Sequence, residues 1–260
     1  MPILCAALIA FASCARADEL ILASTTSTVD SGLLDELIPA FADDHASTRV
    51  KVIGVGSGEA MALGRRGDAD ILLVHSPVDE AAFMAAGHGG RRLPVMSNDY
   101  VIAGPPDDPA GIRGAGTAAL ALARIAARDA PFVSRGDSSG THRKEMALWA
   151  AAGPRPRGYT EVGQGMGEAL TIASERGAYI LSDRGTYLAL SHNLRLEVLV
   201  EGDPLLENPY SVITVRGARH AAAADTFADW LVSPRAAELI RAFGIERFGE
   251  PLFHPSGSLR

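Results

Sequence analysis

The chain has 260 residues, 47% of them hydrophobic and 21% charged, and carries a formal net charge of −7. That length supports one large domain or two small ones with real cores. The acidic balance excludes a protein built to coat nucleic acid or an anionic membrane, and it obliges any bound anion to be held by local donors.

In chain order, residues 3–12 form an apolar h-region, followed by Ser13-Cys14-Ala15-Arg16-Ala17. Ala15-x-Ala17 fits the small-x-small cleavage pattern, which predicts a signal peptide over 1–17, a mature start at Asp18 and a periplasmic protein. No Lys or Arg precedes the h-region, a departure from the usual pattern. Phe11-Ala12-Ser13-Cys14 loosely matches a lipobox, a second route that would leave Cys14 as a lipidated N-terminus. Both cysteines, Cys5 and Cys14, fall in this segment, so thiol and disulfide chemistry is not expected of the mature chain. The apolar stretch is too short to span a bilayer.

Beyond it, strand-like and helix-like runs alternate. Leu20-Ile21-Leu22-Ala23 reads as a buried strand. Leu33, Leu34, Leu37, Ile38 and Phe41 share one helical face, with Asp30 and Ser31 as cap candidates. Residues 49–53 read as a strand and 59–63 as a helix. Asp70-Ile71-Leu72-Leu73-Val74 is a continuous apolar run of the parallel-strand type. A helix over 78–86, a strand over 100–103, a helix over 117–128 and a short apolar segment at 131–133 follow. Helices are expected over 143–152, 168–176 and 186–190, and strands over 178–181, 196–200 and 210–215. The tail reads as two helices, 221–231 and 234–243. This rhythm argues for an α/β protein with parallel-rich sheets covered by helices. Pro/Gly punctuation at 104–116 and 202–209 marks two crossings between lobes.

Three strand-to-helix turns carry the chemistry. The most informative is Ser134-Arg135-Gly136-Asp137-Ser138-Ser139-Gly140-Thr141. The first N–H groups of a helix lack internal partners and the macrodipole favours negative charge there, so such a turn can grip an anion. Ser138, Ser139 and Thr141 add hydroxyl donors, Gly140 allows close approach, and Arg135 adds a cationic fork. The second turn is Ser24-Thr25-Thr26-Ser27-Thr28, a hydroxyl run between a strand and a helix. The third is Gly54-Val55-Gly56-Ser57-Gly58, which lacks the Gly-Lys-Ser/Thr of a phosphate-binding Walker loop and departs from the dinucleotide fingerprint. Read blandly, these are a helix cap, a polar loop and a glycine turn. Their recurrence on one chain favours an oxyanion site built from Thr25, Thr26, Ser57, Arg135, Ser138, Ser139, Gly140 and Thr141.

These turns, with the export signal, Asp30-Ser31-Gly32-Leu33-Leu34, Lys144-Glu145 and residues 181–187, resemble the periplasmic tungstate-binding proteins of ABC importers, within the type II solute-binding family. The likeness covers nearly the whole mature chain, with Ser24 standing where Thr is common. It implies a two-lobed type II periplasmic-binding-protein fold with the ligand cleft between lobes: lobe I over 18–103 plus 208–260, lobe II over 104–207. It also implies a monomer that captures tungstate or a related oxyanion such as molybdate and delivers it to a membrane permease, with no catalysis, cofactor, bound metal ion or nucleic-acid partner.

The Arg-x-Asp-x-Ser-Gly-Thr pattern is shared with phosphate-binding proteins, so the ligand stays open at this point. Phosphate near neutral pH is partly protonated and offers a donor that Asp137 could accept. Tungstate only accepts, so beside it Asp137 must be neutralised, most simply by Arg135. A rival class is an exported phosphoester enzyme, which needs metal ligands or a base beside a nucleophile. The histidines are scattered, and His142, nearest the site, reads as a helix-surface residue. Asp183-Arg184 reads as an interlobe or surface ion pair. A cytosolic anion sensor is the third reading, opposed by the signal-like N-terminus.

Overall fold

The computed structural model describes residues 18–257; the expected signal peptide, with Cys5 and Cys14 inside it, lies outside them. The elements are β1 (Asp18–Thr25), α1 (Thr26–Asp30), α2 (Leu33–Asp44), β2 (Thr48–Val55), α3 (Ser57–Arg66), β3 (Ile71–Val74), α4 (Pro77–Ala85) and β4 (Gly89–Gly104). After these come α5 (Ala118–Ala127), β5 (Phe132–Ser134), α6 (Gly140–Ala152), β6 (Tyr159–Glu161), α7 (Met166–Arg176), β7 (Tyr179–Asp183), α8 (Arg184–Leu190) and β8 (Glu197–Val200). The chain then runs through β9 (Glu207–Val215), α9 (Ala221–Leu231), α10 (Pro234–Ala242), α11 (Ile245–Phe248) and β10 (His254–Pro255).

Two sheets share one strand. The first has the order β2-β1-β3-β9-β4, with β10 on β4; the second has β4-β7-β5-β6, with β8 on β4. Within each, the βαβ units pair in parallel: β1 with β2 and β3, and β5 with β6 and β7. The long strands β4 and β9 join these units in antiparallel register. Asp99 of β4 still pairs with Glu207 in the first sheet, while the next residue, Tyr100, pairs with Asp183 in the second. The first passage between sheets therefore lies inside a strand, not in the punctuated stretch 104–116.

Alternate side chains feed opposite faces, as a strand requires. Leu20, Leu22, Ile71 and Leu73 enter one core with Leu37 and Phe41 of α2, while Ala23, Leu72 and Val74 enter another beneath α3. In the second sheet, Tyr100 and Ile102 face one core and Val101 and Ala103 the other. Each such Leu, Val or Phe contributes about 1.5–3 kcal/mol by burial. Two sheets, each covered on both faces, make two lobes.

Candidate oxyanion-binding site

The parallel strands end where the two lobes face each other, so their following helices start at a common cleft. A cavity of about 430 Å³ lies there, lined by Thr25, Thr26, Ser57, Arg135, Ser138, Ser139, Gly140 and Thr141. All the site residues expected from the sequence are thus brought together. Ser27, Gly56, Gly58, Glu59, His75, Ser76, Asp137 and Arg143 complete the wall.

The hydroxyl run differs from a polar loop. Thr26 already belongs to α1, and Thr25 is its N-cap, its Oγ1 accepting from the Thr28 amide at 3.3 Å and lying 2.6 Å from Thr28 Oγ1. Helix α2 begins instead after Gly32, whose φ of 86° is a left-handed conformation that glycine adopts without strain. Ser31 accepts from the Leu33 amide, while Asp30 is the last residue of α1. Across the floor, Gly56 caps α3 through its extended backbone and leaves Ser57 at the first helical position. Ser57 Oγ is buried and has no hydrogen-bond partner in the protein.

Lobe II supplies the opposite wall. Ser138 adopts φ 58°, uncommon for a residue with a side chain. Its amide donates to His142 Nδ1 at 3.0 Å, so Ser138 keeps only its hydroxyl for the cleft. His142 is therefore a loop brace and not a free surface residue. Ser139 caps α6, its Oγ accepting from the His142 amide at 3.3 Å. Arg135 bonds Asp137 through Nη2, while its Nε is buried without a protein partner. Asp137 also accepts from the Ser139 amide at 3.1 Å. Burial opposes its ionisation, but the bonds from Ser139 and the Arg135 charge hold its carboxyl below the ordinary value.

Charges around the cavity are cancelled in pairs. Arg135 faces Asp137, Arg143 of α6 reaches across the mouth to Asp79 of α4, and Glu59 pairs with Arg66 at 3.2 Å. What stays uncommitted is a set of hydroxyls and first-turn amides from α1, α3 and α6, which suits an anion that only accepts. Among the described residues no group of three or more His, Cys, Asp or Glu could hold a metal ion.

Beneath the cavity β4 and β9 carry a buried polar network. Asn208 donates to Asn98 Oδ1 at 2.7 Å and to Tyr210 at 3.3 Å, and its Oδ1 accepts from Tyr100 at 3.2 Å. The same Oδ1 takes His75 Nδ1 at 2.9 Å. Asp183 does not pair with Arg184. It caps α8 through Thr186, and burial pushes its carboxyl up against the pull of the Thr186 bonds and Arg135. Arg184 forks onto Asp99 at 2.8 and 2.7 Å, beside the passage between sheets.

Gly140 has a role that the turn motif did not disclose. A Cβ on it would lie 2.9 Å from His75 Cε1, so the missing side chain lets the start of α6 close against the opposite lobe. His75, Asp79 and Arg143 carried no signal of their own in the sequence, because each acquires meaning only from a partner far along the chain.

Residues 12–235 match the PBP superfamily domain. A tungstate-binding protein TupA of Peptoclostridium acidaminophilum is 44% identical over 247 residues, covering 92% of this chain and 86% of that protein. A putative ABC transporter anion-binding protein of Haloferax volcanii is 47% identical, covering 92% of this chain and 72% of the relative. The solved structure of the tungstate-binding protein TupA from Desulfovibrio alaskensis G20 has a TM-score of 0.84 and 43% identity, and covers 93% of this chain and all of that one.

Proposed function

The chain belongs to the PBP superfamily and, within it, to the family of the tungstate-binding proteins it matches; from that premise we propose how its cleft performs capture. It is a substrate-binding protein for tungstate that serves an ABC importer, and it binds without turnover. Ser57, the cap residue Thr25 and Thr26 of α1 receive the anion from lobe I. Arg135, Ser138, Ser139, Gly140 and Thr141 receive it from lobe II. The protein acts in the periplasm as a monomer, and the lobes that close are 18–103 plus 208–260 and 104–207, turning about the passage in β4 and the return between β8 and β9.

The observation that carries this reading is the pair of buried donors without protein partners, Ser57 Oγ and Arg135 Nε, on opposite walls of one cavity. A buried donor left unpaired costs about 1–3 kcal/mol, a cost that an acceptor-only anion between the walls removes. Asp137 favours tungstate over phosphate. Its oxygens are already engaged by Arg135 and Ser139, so no carboxylate stands free to accept a phosphate proton. Calorimetric titration with tungstate, molybdate, phosphate and sulfate tests the proposal. One tungstate per chain, bound far more tightly than phosphate or sulfate, is the expected result. Phosphate displacing tungstate at comparable concentration overturns it.

A further inference from the structure

Directly under the site sits a histidine with one nitrogen committed and the other free. His75 follows β3 in lobe I, is 8% exposed and lines the cavity. Its tautomer follows from the network around it. Asn208 spends its amide protons on Asn98 and Tyr210, which leaves Oδ1 to face the ring. An acceptor at Nδ1 requires that Nδ1 carry the proton, so the neutral ring presents a lone pair at Nε2. No described protein group bonds Nε2. The ring is held in place by Tyr210, its centroid 4.7 Å away; Cε1 and Nδ1 are its atoms nearest the start of α6, and Nε2 lies farther from it.

A lone pair and a fully deprotonated dianion repel. Both are satisfied if a proton sits between them. We propose that His75 is a proton-linked ligand of the captured anion: it takes a proton from solvent as tungstate binds and donates Nε2–H to one of its oxygens. The inference rests on the tungstate reading above. Without the anion the ring is neutral, because burial pushes its pKa down to about 4 against the Asn208 bond, with help from the nearby charges of Arg135 and Lys144. The entering dianion opposes both cations and favours the imidazolium, so uptake belongs to the bound state. The groups placed against the ring are Asn208 and Tyr210 from β9 and Gly140 from α6; Lys144 of α6 and Arg135 of the turn before it act on it by charge, and the buried acid Asp183 at the end of β7 faces Tyr100 and Tyr210 of the same network. The carboxylates on its own side, Asp79 and Glu80, bond Ser76.

The sign follows from linkage. The complex holds more protons than the free protein, so affinity rises as pH falls, by at most about tenfold per pH unit, and levels off near the free-state value. Tungstate is titrated calorimetrically into the purified chain in buffers of different ionisation enthalpy, between about pH 5.5 and about pH 8, the range of an ordinary imidazole. Uptake should climb toward about one proton per anion as pH falls. His75→Asn keeps an amide donor for Asn208 and removes Nε2; it should bind more weakly with no uptake. His75→Gln puts a permanent N–H near Nε2 and should bind independently of pH. Glu145→Gln, which removes the other buried acid near α6, should keep the uptake. Tungstate binding by the wild-type chain without uptake overturns the role of His75 and leaves capture standing. Uptake that persists in both His75 variants, or disappears in Glu145→Gln, assigns the proton to a carboxyl and also overturns it. Absence of any tungstate binding overturns both readings.

Discussion

Replacing Gly140 with alanine separates the fit of the lobes from the stability of the fold. The added Cβ would stand 2.9 Å from Cε1 of His75, 3.3 Å from Nδ1 and 3.6 Å from Nε2. Carbon atoms prefer about 3.5–4.0 Å, so ring and helix must part by roughly 0.6 Å or more. The ring has little freedom to yield, pinned by Asn208 at 2.9 Å and packed on Tyr210. Gly140 is not among the residues with positive φ, so alanine meets no backbone strain there and slightly favours the helix. The displacement therefore falls on the approach of lobe II, and the donors at the start of α6 retreat from those of α1 and α3. Loss of one charge-assisted hydrogen bond to the anion costs about 1.5–3 kcal/mol. Affinity should thus fall about ten- to a hundredfold, while the melting temperature without ligand stays unchanged. Calorimetry and thermal denaturation measure the two separately. In a His75→Ala background the same glycine substitution should add no further loss, as a double-mutant cycle requires of a contact pair. Tungstate bound by Gly140→Ala as tightly as by the wild type refutes the reasoning.

Arg135→Ala should weaken tungstate binding about ten- to a hundredfold, and Arg135→Lys less, because a point charge replaces a fork; equal affinity in titration of Arg135→Ala removes it from the site. Asp137→Asn should loosen Arg135 and lower affinity without making phosphate binding depend on pH, which competition above and below the second phosphate pKa would reveal. Burial pushes Glu145 up to about 7 from 4.5, against the bond from Tyr159. The folded chain thus keeps a proton there that the unfolded chain has already lost, and stability falls as pH rises through that window, by on the order of 3 kcal/mol. Glu145→Gln should flatten this decline in the melting temperature, and an unaltered pH profile contradicts the assignment. Asp79→Ala breaks the half-exposed pair with Arg143 at the cleft mouth; it should change unligated stability by less than about 1 kcal/mol, and a larger loss in a denaturant titration would show a structural and not a closing role.

The sequence by itself determined what depends on neighbours a few residues apart. The apolar alternation of β1 and β3, the helical stripe of α2 and the cap at Ser139 are all local, and so are the three hydroxyl- or glycine-bearing turns at strand ends. Local turn chemistry even named residues that come to share a cavity, since every parallel strand in an α/β sheet delivers its C-terminal turn to the same edge. Two local readings still failed. The run from Thr26 became a helical turn because Thr25 caps it. The strand expected over 100–103 begins instead at Gly89 and runs through Gly90 and Pro94, because pairing with β9 outweighs a poor propensity. Only the tertiary structure decided which distant groups meet. His75 finds Asn208 133 residues away, Arg143 reaches Asp79 across the mouth, and Gly140 is glycine because a ring from the other lobe occupies the space. No periodicity or spacing encodes such pairs. They arise when β4 passes between the sheets and β9 returns to pair with it, and a side chain's charge, tautomer and room are then set by whatever that closure brings beside it.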